Sequence, residues 1–122
     1  TLPNGVEKLT KNYSGSRAPY FSENAVQYIN GLGIMHLLTD LPSLDREDDA
    51  LLKGHHAFFR PNGKWQLQKT VTEMIYAKEA IDDGLYWLDL QIAPFESDAS
   101  PSRPVLYAAK FIPVPPEVLR TH

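Results

Sequence analysis

The chain has 122 residues, 43% of them hydrophobic, and a formal net charge of −3. That length and composition predict one folded domain with a single core, residues 1–122. No cluster of Lys or Arg exceeds two neighbours, which argues against a nucleic-acid surface. No apolar run approaches the roughly 18 residues of a membrane span, and we expect a cytoplasmic protein. Cysteine is absent, so any metal must be held by His, Asp or Glu.

The first third of the chain predicts an extended lead-in, a helix and a buried strand. Residues 1–21 show no sustained period. Ser22 can cap a helix that Gly31 and Gly33 end. One apolar face at helical spacing is formed by Ala25, Tyr28, Ile29 and Leu32. The short apolar run 34–38 then predicts a buried strand.

The rest of the chain predicts turns and strands. An acidic turn or short helix over 46–52 leads to an extended stretch with His55 and His56. Residues 69–77 alternate in polarity and predict a strand. The turn 81–84 precedes a strand over 85–93, and a last strand over 105–112 precedes a Pro-rich tail. Together these elements predict an α/β fold with a mixed sheet and flanking helices.

Glu73 is the most informative single residue of the pattern. It shares a predicted strand face with Val71 and Ile75, where a carboxylate is costly unless it is paired or bound to a metal. The alternative is that this face is exposed and that Glu73 is an ordinary surface residue, which is the commoner case.

The adjacent histidines are a second candidate. Neighbours on an extended stretch point in opposite directions, so at most one of His55 and His56 would face a given site. Imidazole is a favoured ligand of zinc and related metals. Without further ligands, a loop histidine with no partner is the better interpretation, because catalytic zinc sites usually have three protein ligands.

Four further residues have a structural and a functional interpretation each. Asp40 and Asp45 follow the first buried strand, where α/β sheets bind ligands, but Asp-x-Pro-Ser-x-Asp is also favourable turn chemistry, which we prefer. His36 is predicted to be a core histidine, with a ligand histidine as the alternative. Arg103 could grip a carboxylate or anchor its loop.

No Gly-x-Ser-x-Gly elbow, phosphate-cradling Gly-rich loop or His-Glu-x-x-His helix occurs in the sequence. Several segments, in order, instead resemble the cyclase (kynurenine formamidase-like) family of metal-dependent hydrolases. They are residues 33–45 with Asp-Leu-Pro-Ser-Leu-Asp, 54–59 with Gly-His-His-Ala-Phe-Phe, 72–76 with Thr-Glu-Met-Ile-Tyr, 83–86, 91–95 and 98–104.

The resemblance implies a swivelling β/β/α fold, zinc or manganese, and hydrolysis of a formamide such as N-formylkynurenine or of an isatin-like lactam. His55 matches the family's late ligand histidine and Glu73 its ligand glutamate. The family's His-x-Gly-Thr-His-x-Asp-x-Pro run, which carries the catalytic histidine and the other ligands, is absent. We therefore expect the carboxy-terminal part of such an enzyme, which needs an amino-terminal half and forms a homo-oligomer. The alternative is a non-catalytic assembly or ligand-binding module that retains the fold.

Overall fold

The computed structural model describes residues 6–77 and 81–109, which form helices and two small sheets, a general α/β structure. The chain divides into two compact units, Thr1–Ile81 and Asp82–His122. The helices are α1 (Glu23–Gly31) and α2 (Lys53–Phe59), with 3₁₀ turns at Val6–Leu9 and Pro61–Gly63; the strands are β1 (His36–Leu38), β2 (Thr70–Thr72), β3 (Tyr86–Asp89) and β4 (Val105–Ala108).

Helix α1 begins and ends where the sequence predicts. The Ser22 side chain accepts a hydrogen bond from the Ala25 N–H, which satisfies one of the free donors of the first turn. The predicted apolar face is only partly correct, because Ile29 packs against the core but the buried face is displaced by part of a turn. Val26 is fully buried while Tyr28 and Leu32 are exposed, because the core lies on the side of the helix that carries Val26.

Strands β1 and β2 pair in parallel, with His36 opposite Thr70 and Leu38 opposite Thr72. Each strand has only three residues. The predicted strand over 69–77 is therefore too long: regular pairing stops at Thr72, and Met74 adopts a φ of 55°. Glu73 thus follows the carboxyl end of β2 instead of lying in the middle of a strand.

The core of the first unit is small and sits between α1, α2 and the β1–β2 pair. Its fully buried side chains belong to Val26, Leu44 and Phe58. Partly buried apolar side chains pack around them: Phe21, Ile29, Leu37, Ala57, Phe59 and Val71. Complete burial of a Val, Leu or Phe side chain supplies roughly 1.5–3 kcal/mol, so Val26, Leu44 and Phe58 do most to hold the two helices against the parallel strands.

Helix α2 replaces the extended stretch predicted for the two histidines. Gly54 and Phe58 are its buried residues, and they are four positions apart on one face. The short acidic segment before it is a series of turns, as predicted. The period of α2 was hidden because a helix of seven residues carries too few apolar positions to reveal it.

The second unit contains an antiparallel pair in which Trp87 lies opposite Tyr107. An isolated bridge joins Ile92 and Ser102. Strand β3 is shorter than the predicted 85–93, and β4 covers the first part of the predicted 105–112. The end of that strand and the Pro-rich tail lie outside the described residues. Over 6–77 and 81–109, no helix has the length and apolar character to cross a membrane.

Candidate functional site

The site is centred on His55, in the first turns of α2. Its ring is about a quarter exposed and stacks near Phe59, with ring centroids 6.4 Å apart and planes inclined by 21°. Neighbouring residues on a helix differ by about 100° in direction. His56 accordingly points elsewhere, towards Trp65, at a centroid distance of 5.7 Å. That His55 and not His56 is the ligand stays a prediction. The His55 ring contacts two carboxylates, those of Asp45 and Glu73, whereas the His56 ring contacts Trp65.

Asp45 lies on one side of the His55 ring. Its Oδ2 is 2.5 Å from His55 Nδ1 and accepts the His55 backbone N–H at 3.2 Å, while Oδ1 accepts the Gly54 N–H. The side chain of Leu52, at the start of α2, provides no cap. Asp45 therefore caps α2 from a distance, and its negative charge lies at the positive end of the helix dipole.

The pKa of Asp45 reflects two opposing effects. Burial raises it, since the side chain is only 3% exposed. Hydrogen bonds from the His55 side chain and from the backbone N–H groups of Gly54 and His55 lower it by more, so the pKa ends below its ordinary value. Asp45 is consequently a carboxylate at neutral pH.

Glu73 lies on the other side of the ring, and its backbone is fixed on both sides. The Thr72 carbonyl accepts from the Thr39 N–H at 2.9 Å, and the Met74 N–H donates to the Leu41 carbonyl at 2.9 Å. Oε1 of Glu73 accepts the Leu44 N–H at 2.7 Å. The position of this carboxylate is therefore fixed by two elements, the end of β2 and the turn after β1.

His55 and Glu73 converge, because Nε2 of the ring lies 3.4 Å from Oε1. Two ligands at about 2.0–2.2 Å from a zinc ion, separated by the tetrahedral angle, are about 3.3–3.5 Å apart. The observed separation fits a shared metal ion. Within the described ranges, no group of three or more His, Cys, Asp or Glu side chains could hold a metal. Asp45 does not complete the set because it contacts the opposite ring nitrogen.

The other candidates have contacts of their own. Asp40 is buried and forms an ion pair with Lys8. His36 is exposed, so the prediction of a core histidine is wrong; its Nδ1 lies 2.9 Å from the Thr70 hydroxyl. Arg103 is an exposed residue of the second unit.

A groove of about 390 Å³ reaches the site at Asp45, although His55 and Glu73 are not among its lining residues. Asp45 and Met74 form part of its lining, and Tyr13, Pro42 and Leu52 add apolar surface. Both Met74 and Leu52 adopt positive φ, of 55° and 48°. Such backbone strain in residues other than glycine often occurs near functional sites.

Sequence reasoning weighed one residue of the site incorrectly and missed another. The turn interpretation of Asp45 captured only part of its role: its N–H does bond Ser43 Oγ at 3.2 Å, but its carboxylate serves α2 and His55. Gly54 was read only as part of the resemblance. A Cβ on Gly54 would lie 2.8 Å from Asp45 Oδ1, and the one available signal was a glycine directly before a candidate ligand.

Comparisons of the chain with protein-family models, with curated proteins and with solved structures found no match. The resemblance to the cyclase family therefore remains a prediction from the residues quoted above.

Proposed function

We propose that the chain contributes His55 and Glu73 to the divalent-metal site of an amide-hydrolysing enzyme, similar to the cyclase family. The observation that carries this proposal is the 3.4 Å approach of His55 Nε2 to Glu73 Oε1. The two residues are 18 positions apart, and the resemblance of the sequence alone matches both of them to metal ligands.

The chemistry of the donor pair suits zinc or manganese. Imidazole and carboxylate are ordinary ligands of both metals. Both side chains are about a quarter exposed, so a ligand can reach them from solvent. When bound, the metal supplies Lewis-acid chemistry, because it polarises a carbonyl oxygen and lowers the pKa of a water molecule.

In this proposal, the residues of this chain hold and orient the metal ligands and do not transfer protons. Glu73 stays anchored through the Leu44 N–H, and His55 through Asp45. The catalytic histidine and at least one further ligand come from another part of the enzyme, since three protein ligands are usual in catalytic zinc sites. An amino-terminal half with the His-rich run, on the same or another polypeptide, is the proposed source.

The same proposal extends to fold, substrate and assembly. The finer fold would be the swivelling β/β/α type, and the substrate an amide such as a formamide or a lactam. The groove beside Asp45 and Met74 offers partly apolar walls for the body of such a substrate. A homo-oligomer in the cytoplasm completes the proposal.

The test is hydrolysis of N-formylkynurenine and of isatin by the chain combined with a polypeptide that carries the His-rich run. We expect metal-dependent hydrolysis that His55→Ala and Glu73→Gln each reduce by at least a hundredfold, since each removes one ligand. His56→Ala is the matched control, because its ring contacts Trp65 and not Glu73. Hydrolysis that survives both ligand substitutions would contradict the proposal.

A non-catalytic assembly module is the second candidate. The observation in its favour is the exposed apolar surface of the antiparallel pair, where Trp87 is 73% and Tyr107 56% exposed. Such side chains are common in protein interfaces. Unchanged assembly of Glu73→Gln, with no hydrolysis by any form of the protein, would favour this module over the enzyme.

A further inference from the structure

We infer that Asp45 is a positioning residue that fixes the ring of His55 with its proton on Nδ1 and its free nitrogen, Nε2, directed at Glu73. The inference rests on the proposed function for its purpose, the capture of a metal, but the ring state itself can be measured without any metal.

The hydrogen bonds of Asp45 leave one assignment for the neutral ring. Its carboxylate accepts from the Gly54 and His55 backbone N–H groups, which favours the ionised form, and an ionised carboxylate only accepts hydrogen bonds. The 2.5 Å contact with Nδ1 therefore requires that Nδ1 donate. In a neutral imidazole the other nitrogen, Nε2, then carries the lone pair that binds metals.

Glu73 lies opposite the nitrogen of His55 that this assignment leaves without a proton. Its Oε1 is an acceptor that already receives the Leu44 N–H, and it faces Nε2 at 3.4 Å. Two electron-rich atoms directed at each other need a positive charge between them, either a proton or a metal ion. A carboxylate on the far ring nitrogen is the usual outer partner of a metal-bound histidine, since it orients the ring and raises its basicity.

The position of Asp45 depends on Gly54. The Oδ1 atom lies so close to the helix that a Cβ at position 54 would approach it to 2.8 Å and would lie 3.3 Å from the Leu44 carbonyl. Both atoms belong to a buried region, so neither can withdraw freely. Gly54 thus permits the same carboxylate to hold both the backbone and the ring of His55.

The first experiment reads the ring nitrogens of the metal-free chain by long-range ¹H–¹⁵N NMR. Spectra are recorded at alkaline pH, on the plateau where the shifts no longer change. We expect His55 to be protonated at Nδ1, whereas His56, whose ring lies against Trp65, serves as an internal reference. A neutral His55 ring protonated mainly at Nε2 overturns the inference, and this reading needs no variant to fold.

The second experiment compares Asp45→Asn and Gly54→Ala with the exposed control Asp48→Asn. The side-chain amide introduced by Asp45→Asn can donate to Nδ1, and the methyl group added by Gly54→Ala displaces the carboxylate without changing any charge. We expect both variants to lose the Nδ1 preference and to bind zinc about 10–100-fold more weakly by calorimetry. Circular dichroism identifies any variant that does not fold. If one of the two variants fails to fold, the ring state and zinc affinity of the other test the inference.

The outcomes separate this inference from the proposed function. An Nδ1-protonated ring that Asp45→Asn abolishes, in a protein that binds no zinc, upholds the positioning role and removes the metal. Zinc binding that depends on His55 and Glu73 but is unchanged in both Asp45→Asn and Gly54→Ala upholds the metal site and overturns the role of Asp45.

Discussion

The backbone N–H of Leu44 donates a 2.7 Å hydrogen bond to Oε1 of Glu73, and the Leu44 side chain is fully buried in the core. A core residue therefore holds a candidate metal ligand through its own peptide group. The Leu44 carbonyl accepts the Phe21 N–H at 3.0 Å, so the segment before α1 is tied to the same point. Because the site is built on the core, metal binding or substitution at Glu73 should change the free energy of unfolding of the first unit.

Zinc should stabilise the folded chain. A metal that binds only the native state adds about 1.4 kcal/mol to the free energy of unfolding at ten times its dissociation constant. We expect the thermal midpoint to rise with zinc concentration and the rise to vanish in Glu73→Gln and His55→Ala. Differential scanning calorimetry at several zinc concentrations measures this.

Glu23→Gln is the control for that experiment. Glu23 is an exposed carboxylate in the first turn of α1, and its loss should leave the zinc-dependent rise intact. An equal rise in all four proteins would mean that zinc binds elsewhere.

Gly54→Ala and Gly31→Ala should change stability in opposite directions. Alanine normally improves a helix by about 0.5–1 kcal/mol over glycine, and a Cβ at Gly31 would meet nothing within 4 Å. At Gly54 the clash with Asp45 should outweigh that gain and lower the free energy of unfolding by about 1–3 kcal/mol. Urea unfolding of the two variants beside the natural protein measures both, and a more stable Gly54→Ala would contradict the geometry around Asp45.

Local signals in the sequence predicted the parts of the fold that local chemistry determines. Ser22 caps α1, and Gly33, with a φ of 75°, lies just past its end; both signals act within a few residues. The face of α1 was predicted less well, because Tyr28 counts as apolar in any pattern although its position is exposed. Which stripe is buried depends on the neighbours of the helix, and these are remote in sequence.

The candidate site was harder to predict for the same reason. The alternation of polar and apolar residues predicted a strand that continues through Glu73. In the structure, only three residues of β2 pair with β1. The partnership of Asp45 with His55 joins a turn to a helix that the sequence pattern did not reveal. His55 and Glu73 were found as separate weak candidates, and only the tertiary structure brings them to 3.4 Å.

Lys69 should make stability depend on pH at the alkaline end. It is only 6% exposed, lies over the Phe58 ring, and donates to Asn30 Oδ1 at 2.6 Å and to the Ile34 carbonyl at 2.9 Å. Burial lowers its pKa below the ordinary value. In the window between the folded pKa and the unfolded value of about 10.4, the unfolded chain binds more protons, so the free energy of unfolding rises with pH.

Lys69→Met should remove that rise, because methionine keeps the apolar stem without the titrating group. Urea unfolding across the alkaline range measures the slope in both proteins, and the difference between them isolates Lys69 from the tyrosines. Lys53→Met is the matched control, since Lys53 is exposed and should leave the slope unchanged. Equal slopes in the natural protein and Lys69→Met would rule out a buried, easily deprotonated Lys69.

Met74→Gly should be better tolerated than Met35→Gly. Met74 follows Glu73 with a φ of 55° and is 70% exposed, so its side chain contributes little packing while its backbone is strained. The left-handed region costs roughly 1–2 kcal/mol for a residue with a Cβ, and glycine removes that cost. Met35 has no such strain. Its replacement by glycine removes side-chain burial and increases the backbone freedom of the unfolded chain, and both effects lower the free energy of unfolding. We expect the free energy of unfolding of Met74→Gly to exceed that of Met35→Gly by at least about 1 kcal/mol. If Met74→Gly proved the less stable variant, the turn that directs Glu73 towards His55 would depend on the Met74 side chain and not on its backbone.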